Sequence, residues 1–323
     1  MERNQSIDLV KIVAMFGVIS LHCCLGRLDN PIAFVMSRLS GISIPLFFMV
    51  SGYLLVGKDG NYKYTLRKIF GIIKFVFIIT ASYGIIYSIV KGFDIKNILL
   101  FFFGSFVQKG PFWMFWYFGA MCLIYLFLPI LLYMKRRVKY FFLKLLVLLV
   151  CIDFIVFIST LLFHFEYNII QSFRLWNWVT YFSLGALVKE LLDHNKVIMK
   201  LDALWCILFA VLFIIFVYYC RPYIGGVEYF FTTPLCMVYA VWVFITILKL
   251  DIKDNKYIEQ LSLLFLPVYT IHFFIIKIFR YYIHIDSIGY ISVLIDWVFV
   301  SAITISISLI LMKNRFIESI FRI

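Results

Sequence analysis

Apolar segments of about twenty residues recur along this chain, and no other feature limits its fold as strongly. Each is about long enough to cross the roughly 30 Å hydrocarbon core of a bilayer as a helix. Inside that core backbone polar groups find no water, so a continuous apolar segment must pair them internally, as a helix does. Ten such segments are expected to span, at about 7–25, 38–56, 69–90, 112–134, 141–162, 174–188, 203–219, 229–248, 262–280 and 290–312. The expected fold class is therefore all-α, a polytopic transmembrane helical bundle formed by a single domain over residues 1–323. A mean hydropathy of +1.00 and 64% hydrophobic residues leave no room for a separate soluble domain. Residues 95–107, which include Leu99-Leu100-Phe101-Phe102-Phe103, are too few to cross comfortably and are expected to be interfacial or re-entrant. Were they to cross, everything after them would invert.

The net charge of +13 has a topological explanation. The loops between the expected spans, taken with Lys144, Arg174 and Arg280 at span ends, hold 15 Lys and Arg residues on the even-numbered side and 7 on the odd-numbered side. Cationic loops stay on the cytoplasmic side, so both termini are expected there. No basic, aromatic-interleaved surface stands apart from the spans, which argues against a nucleic-acid partner; membrane lipids are the expected surroundings. The first segment has a basic flank but no small-residue cleavage site after Leu21-His22-Cys23-Cys24, so it reads as a retained span. The seven cysteines show no metal-site or disulfide spacing, and no metal is expected. Cys122, Cys151, Cys206 and Cys236 read as small packing residues, while Cys23 and Cys24 adjoin His22.

Polar residues inside apolar spans are costly and are functional candidates by default. In the first span, Asp8 and Lys11 lie three residues apart and share a helix face. His22 is eleven residues beyond Lys11, close to three whole turns, which puts it on the same face about 16 Å away along the axis. Such a stripe suits a polar interior. In the second span, Ser51-Gly52 either allows close helix packing or lines a chamber. Arg67-Lys68 opens the third span and fits either lipid headgroups or a phosphate ligand. Trp113, Trp116 and Tyr117 form either an interfacial belt or the frame of a polar ligand, with Pro129 a possible kink later in that span. Asp153 and Asp296 are acids within spans, the second without an assigned partner. Thr232-Thr233-Pro234 interrupts the eighth span. In the ninth, Tyr269 and His272 share a face, which supplies a second intramembrane imidazole.

Arg3, Asp8, Lys11, Ala14 and His22 together resemble the opening of the bacterial acyltransferase family 3 membrane proteins, whose first span carries an arginine, ten residues and a histidine. Lys11 stands at the arginine position, keeping the charge but not the bidentate fork. Phe47 to Leu55, Arg67-Lys68, Trp113 to Tyr117 with Pro129, and Tyr269 with His272 extend the resemblance over nearly the whole chain. It implies a stand-alone O-acetyltransferase in the bacterial cytoplasmic membrane. The implied donor is acetyl-CoA, and the acceptor a surface glycan or lipid-linked oligosaccharide. His22 would be base or nucleophile, with Lys11 and Asp8 completing the catalytic set. Arg3, Arg67 and Lys68 would meet the donor phosphates. Ser51, Trp113, Trp116, Tyr117, Tyr269 and His272 would line the acceptor side. The alternatives are a flippase for lipid-linked glycans, although no internal repeat is visible, or an acyltransferase with a non-glycan acceptor.

Overall fold

The computed structural model describes residues 4–58, 60–92, 94–193, 202–224, 226–250, 252–283 and 289–322. Arg3, and the loop residues Lys196 and Lys200, lie outside the described residues. In chain order the helices are α1 (Gln5–Cys24), α2 (Pro31–Leu39), α3 (Ser43–Leu55), α4 (Tyr62–Lys91), α5 (Ile95–Phe106), α6 (Trp116–Arg137) and α7 (Phe141–Phe163). They continue as α8 (Leu175–Asp193), α9 (Asp202–Cys220), α10 (Pro234–Leu248), α11 (Lys256–Leu263), α12 (Phe265–Tyr282), α13 (Ser292–Leu311) and α14 (Arg315–Phe321). No strand occurs among the described residues.

A helix forms at each of the ten expected segments, yet fewer qualify as complete spans. Seven are long and apolar enough to cross, with α2 and α3 joined as one; α11 with α12, bent by 57°, makes eight. The remaining two segments are α8, which carries Asn177, Thr180 and Ser183, and α10. The expected eighth span is shortened at its start. Thr232-Thr233-Pro234 does not interrupt a helix but begins one: the Thr233 hydroxyl accepts from the Cys236 N–H at 3.3 Å, and Pro234 takes the first turn, where its missing N–H costs nothing. Pro129 lies within α6, which continues through it as helix.

The α5 segment does not cross. Trp113, just before α6, contacts His22 at the end of α1, whereas Lys135 at the far end of α6 donates to the Val56 carbonyl after α3. α6 therefore starts on the side where α4 finishes. α5 folds back along α4, with Ile98 against Gly84 and Phe102 against Phe77. Its twelve residues cover about 18 Å, so it dips part of the way and returns.

Small residues set the tightest contacts. A Cβ on Gly52 would stand 1.9 Å from the Phe182 carbonyl oxygen, and one on Gly185 1.9 Å from that of Met49, so α3 and α8 touch backbone to backbone. Gly17 likewise admits Ser43 against α1. Asp153 on α7 finds a partner on α8, accepting from the Thr180 hydroxyl at 2.6 Å. α1 runs through the middle, packed by α2, α3, α10, α11, α12 and α13. α4 and α9 are peripheral and expose side chains such as Phe70, Phe77, Ile207 and Val211, as lipid contact requires. Among the four cysteines expected to pack, Cys236 is buried but Cys151 is exposed on α7, because that position falls on the outward face.

Candidate active site

α1 is one unbroken helix. The Asn4 side chain accepts from the Ile7 N–H at its start, and the C-terminal end closes at Leu25. Its two polar ends are therefore fixed about 16 Å apart. At the first end Lys11 Nζ donates to Asp8 Oδ1 at 3.0 Å, with Asp8 almost fully buried and Lys11 partly open. At the second end stands His22.

The His22 Nδ1 lies 2.5 Å from His272 Nε2, across 250 residues of sequence. The two ring planes differ by 5° with centroids 4.8 Å apart. That nitrogen–nitrogen distance is too short for face-to-face contact and fits a hydrogen bond lying in the common plane of the rings. The direction of the chain follows from its far end. His272 Nδ1 is 3.1 Å from the Val268 carbonyl, which can only accept. With both rings neutral, His272 carries its proton on Nδ1 and accepts through Nε2. His22 must then donate from Nδ1, which leaves its own Nε2 as a bare lone pair. Trp113 and Phe273 meet the His22 ring edge-on, at 5.4 and 5.6 Å between centroids, and hold its orientation.

Cationic residues fasten the end of α1. Arg280 donates to the Cys23 carbonyl at 2.5 Å and to the Leu25 carbonyl at 3.3 Å, using groups that a helix C-terminus leaves unpaired. Arg280 and Arg27 both donate to Asp296 Oδ2, at 3.3 and 2.7 Å. Asp296 thus finds its partners in two arginines counted in the sequence only as loop charge. Trp297 adds a bond to the Phe16 carbonyl at 3.1 Å.

His22 opens onto a cavity of about 200 Å³ shared with Arg38, Trp113, Trp116, Gln171 and Glu228. Arg38, Gln171 and Glu228 were not singled out in the sequence. Arg38 carried a usable signal, a charge at the edge of an apolar segment; the other two lie in connecting stretches with none. Cys24 also faces this cavity, while Cys23 is fully buried.

The other expected site residues divide between two places. Tyr269 donates its hydroxyl to the Met114 carbonyl and stacks parallel to Phe115, so it braces the segment before α6 beside His272. Tyr117 packs between Phe48 and Tyr269 and shares a hydrogen bond with Ser51, whose hydroxyl also donates to the Phe47 carbonyl at 2.9 Å. Arg67 and Lys68 do not meet His22. They line a separate pocket of about 340 Å³ with Lys74, Phe75, Ser319 and Arg322. α14 closes this pocket, anchored by Phe321 against Phe75.

An imidazole lone pair in a membrane cavity, with a cationic pocket apart from it, suits group transfer between two ligands. The family model described as an acyltransferase domain matches residues 4–313, nearly the whole chain. The protein is a multi-pass membrane acyltransferase and belongs to the acyltransferase family 3. No curated protein and no solved structure matches the chain.

Proposed function

We propose that the protein is an O-acetyltransferase of the bacterial cytoplasmic membrane. It would move an acetyl group from cytoplasmic acetyl-CoA to a hydroxyl of a surface polysaccharide or its lipid-linked precursor. The observation that carries this reading is the hydrogen-bonded chain Val268–His272–His22, which leaves the Nε2 lone pair of His22 free beside a cavity.

His22 acts as general base. Its Nε2 takes the proton of the acceptor hydroxyl as that oxygen attacks the thioester carbonyl. The tetrahedral centre collapses by breaking the carbon–sulfur bond, and His22 returns the proton to the leaving thiolate. The positive charge that His22 carries in between is shared through Nδ1–H with His272 Nε2, so His272 positions the base and spreads its charge. A base so placed contributes about 10²- to 10⁴-fold.

The donor phosphates fit the pocket of Arg67, Lys68, Lys74 and Arg322, since guanidinium and ammonium groups supply the charge-assisted hydrogen bonds that phosphates accept. Lys11 and Asp8 belong to the same donor end, three helical turns from the proton transfer.

The test is label transfer from radiolabelled acetyl-CoA by purified protein in detergent. The wild type should hydrolyse or transfer the acetyl group, and His22→Ala should not, at equal membrane level. Mass analysis of surface glycans from a deletion strain identifies the acceptor. Absence of any thioester turnover, with glycan translocation in liposomes, would replace this reading by transport.

A further inference from the structure

Arg38 lines the His22 cavity, and the transfer step leaves its chemistry unused. It is 1% exposed, yet neither Nε nor Nη1 has a hydrogen-bond partner. A buried guanidinium without acceptors is costly unless a ligand supplies them. Its Cζ lies 4.7 Å from the Phe34 ring centroid, and that of Arg221 lies 5.3 Å from the same centroid. Two guanidiniums thus converge on one aromatic side chain. Glu228, on the cavity wall, is the acid that acts on Arg38 electrostatically, but among the described residues no carboxylate closes an ion pair with it. Gln171 also presents an unpartnered buried Oε1, and Trp113 and Trp116 offer apolar faces.

We infer that Arg38 binds an oxyanion of the acceptor, so that this enzyme acts on a glycan that carries a carboxylate or a phosphate. The inference rests on the proposed reading of the His22 cavity as the acceptor side. Guanidinium donates to carboxylate or phosphate oxygens with charge assistance that a neutral hydroxyl does not provide. Arg38 Nε and Nη1 have no acceptor in the cavity, so a negative group gains on entry. The amide of Gln171 and the indoles serve the rest of the sugar ring. Two sources share this chemistry: the carboxylate of a uronic sugar and the phosphate ester that joins a glycan to its carrier.

Binding can be read without any acyl donor, from quenching of tryptophan fluorescence in the purified full chain. The probes are methyl glucuronide, glucose 1-phosphate and neutral methyl glucoside. At least one acidic probe should quench at a tenfold lower concentration than the glucoside; which one does so identifies carboxylate or phosphate. Arg38→Gln should remove that preference and Arg38→Lys keep part of it. Glu228→Gln should sharpen it two- to threefold, a gain that a misfolded protein cannot show. Equal response to all three probes, no response to any, or full preference in Arg38→Gln would overturn the inference. Failure of acetyl transfer with acidic-probe binding intact would overturn only the acyltransferase reading of the cavity.

Discussion

The His22 cavity and the Arg67 pocket both gather polar groups, but they hold them in opposite ways. At Arg67 the cations are surface groups: Arg67, Lys74 and Arg322 are exposed and Lys68 is half-buried. Exposure keeps them hydrated, and Arg322 also pairs with Glu318, so the pocket costs the fold little and its attraction is screened by salt. At His22 the polar groups are sealed in. His272, Arg38 and Gln171 are buried, their bonds are few and directional, and some donors and acceptors lack partners. Such a site is expensive to build and correspondingly selective. Under the proposed function the contrast is a division of labour: a charged dock for a phosphorylated donor, and a buried chamber where geometry decides the reaction.

Substitution should separate the two. The largest effect is expected at His22→Ala, which should lower acetyl transfer about 10²- to 10⁴-fold at an unchanged KM for acetyl-CoA. Transfer at the wild-type rate would remove His22 from the chemistry. His272→Phe, which deletes the acceptor for His22 Nδ1–H, should lower kcat about 10- to 100-fold, a part of what an oriented base supplies. His272→Gln, whose amide oxygen can accept that proton, should keep more activity than the phenylalanine variant; the reverse order would show that His272 only packs.

At the basic pocket the effect should fall on binding. Replacing Arg67 and Lys68 by alanine should raise the KM for acetyl-CoA about tenfold, the scale of one charge-assisted hydrogen bond. The difference from wild type should shrink in high salt. A fall in kcat instead would erase the distinction between dock and chamber. Gly185→Ala tests neither site but the contact that spaces α3 from α8. It should cost about 1–3 kcal/mol of stability by overpacking, read as a lower melting temperature in detergent.

The smallest effect concerns Glu166, which lies between α7 and α8 and accepts from Trp176 Nε1 and Asn177 Nδ2. Burial raises its carboxyl above the usual 4.5, against the opposing pull of Arg174 and these hydrogen bonds. The folded state then holds a proton that the unfolded chain has already lost. Stability should therefore decline as pH rises from about 4.5 through the raised value. Glu166→Gln should flatten that slope in a melting series; an unchanged slope would place the titration elsewhere.

Much of the fold was legible because hydrophobic length is a local property. Each apolar segment had to be helical whatever its neighbours, and α5 was too short to cross on its own count. Where local chemistry had two meanings, the sequence left the choice open. Ser51-Gly52 could pack or line a chamber: Gly52 packs, and the Ser51 hydroxyl is held by the Phe47 carbonyl and Tyr117. Thr232-Thr233-Pro234 read as an interruption because a capped helix start and a broken span use the same residues.

For the site, the sequence by itself determined the spacing along α1. Eleven residues of continuous helix place Asp8 and Lys11 at one end and His22 at the other, since the rise per residue is a constant of the helix. Only the tertiary structure decided what His22 meets. His272 lies 250 residues away, Asp296 is bound by Arg27 from the turn after α1 and by Arg280 from the last turn of α12, and Arg38 lines the cavity from the helix that follows α1. No periodicity encodes these meetings, because they depend on how whole helices cross and rotate. That arrangement leaves a polar residue in an apolar span with a free lone pair beside a cavity.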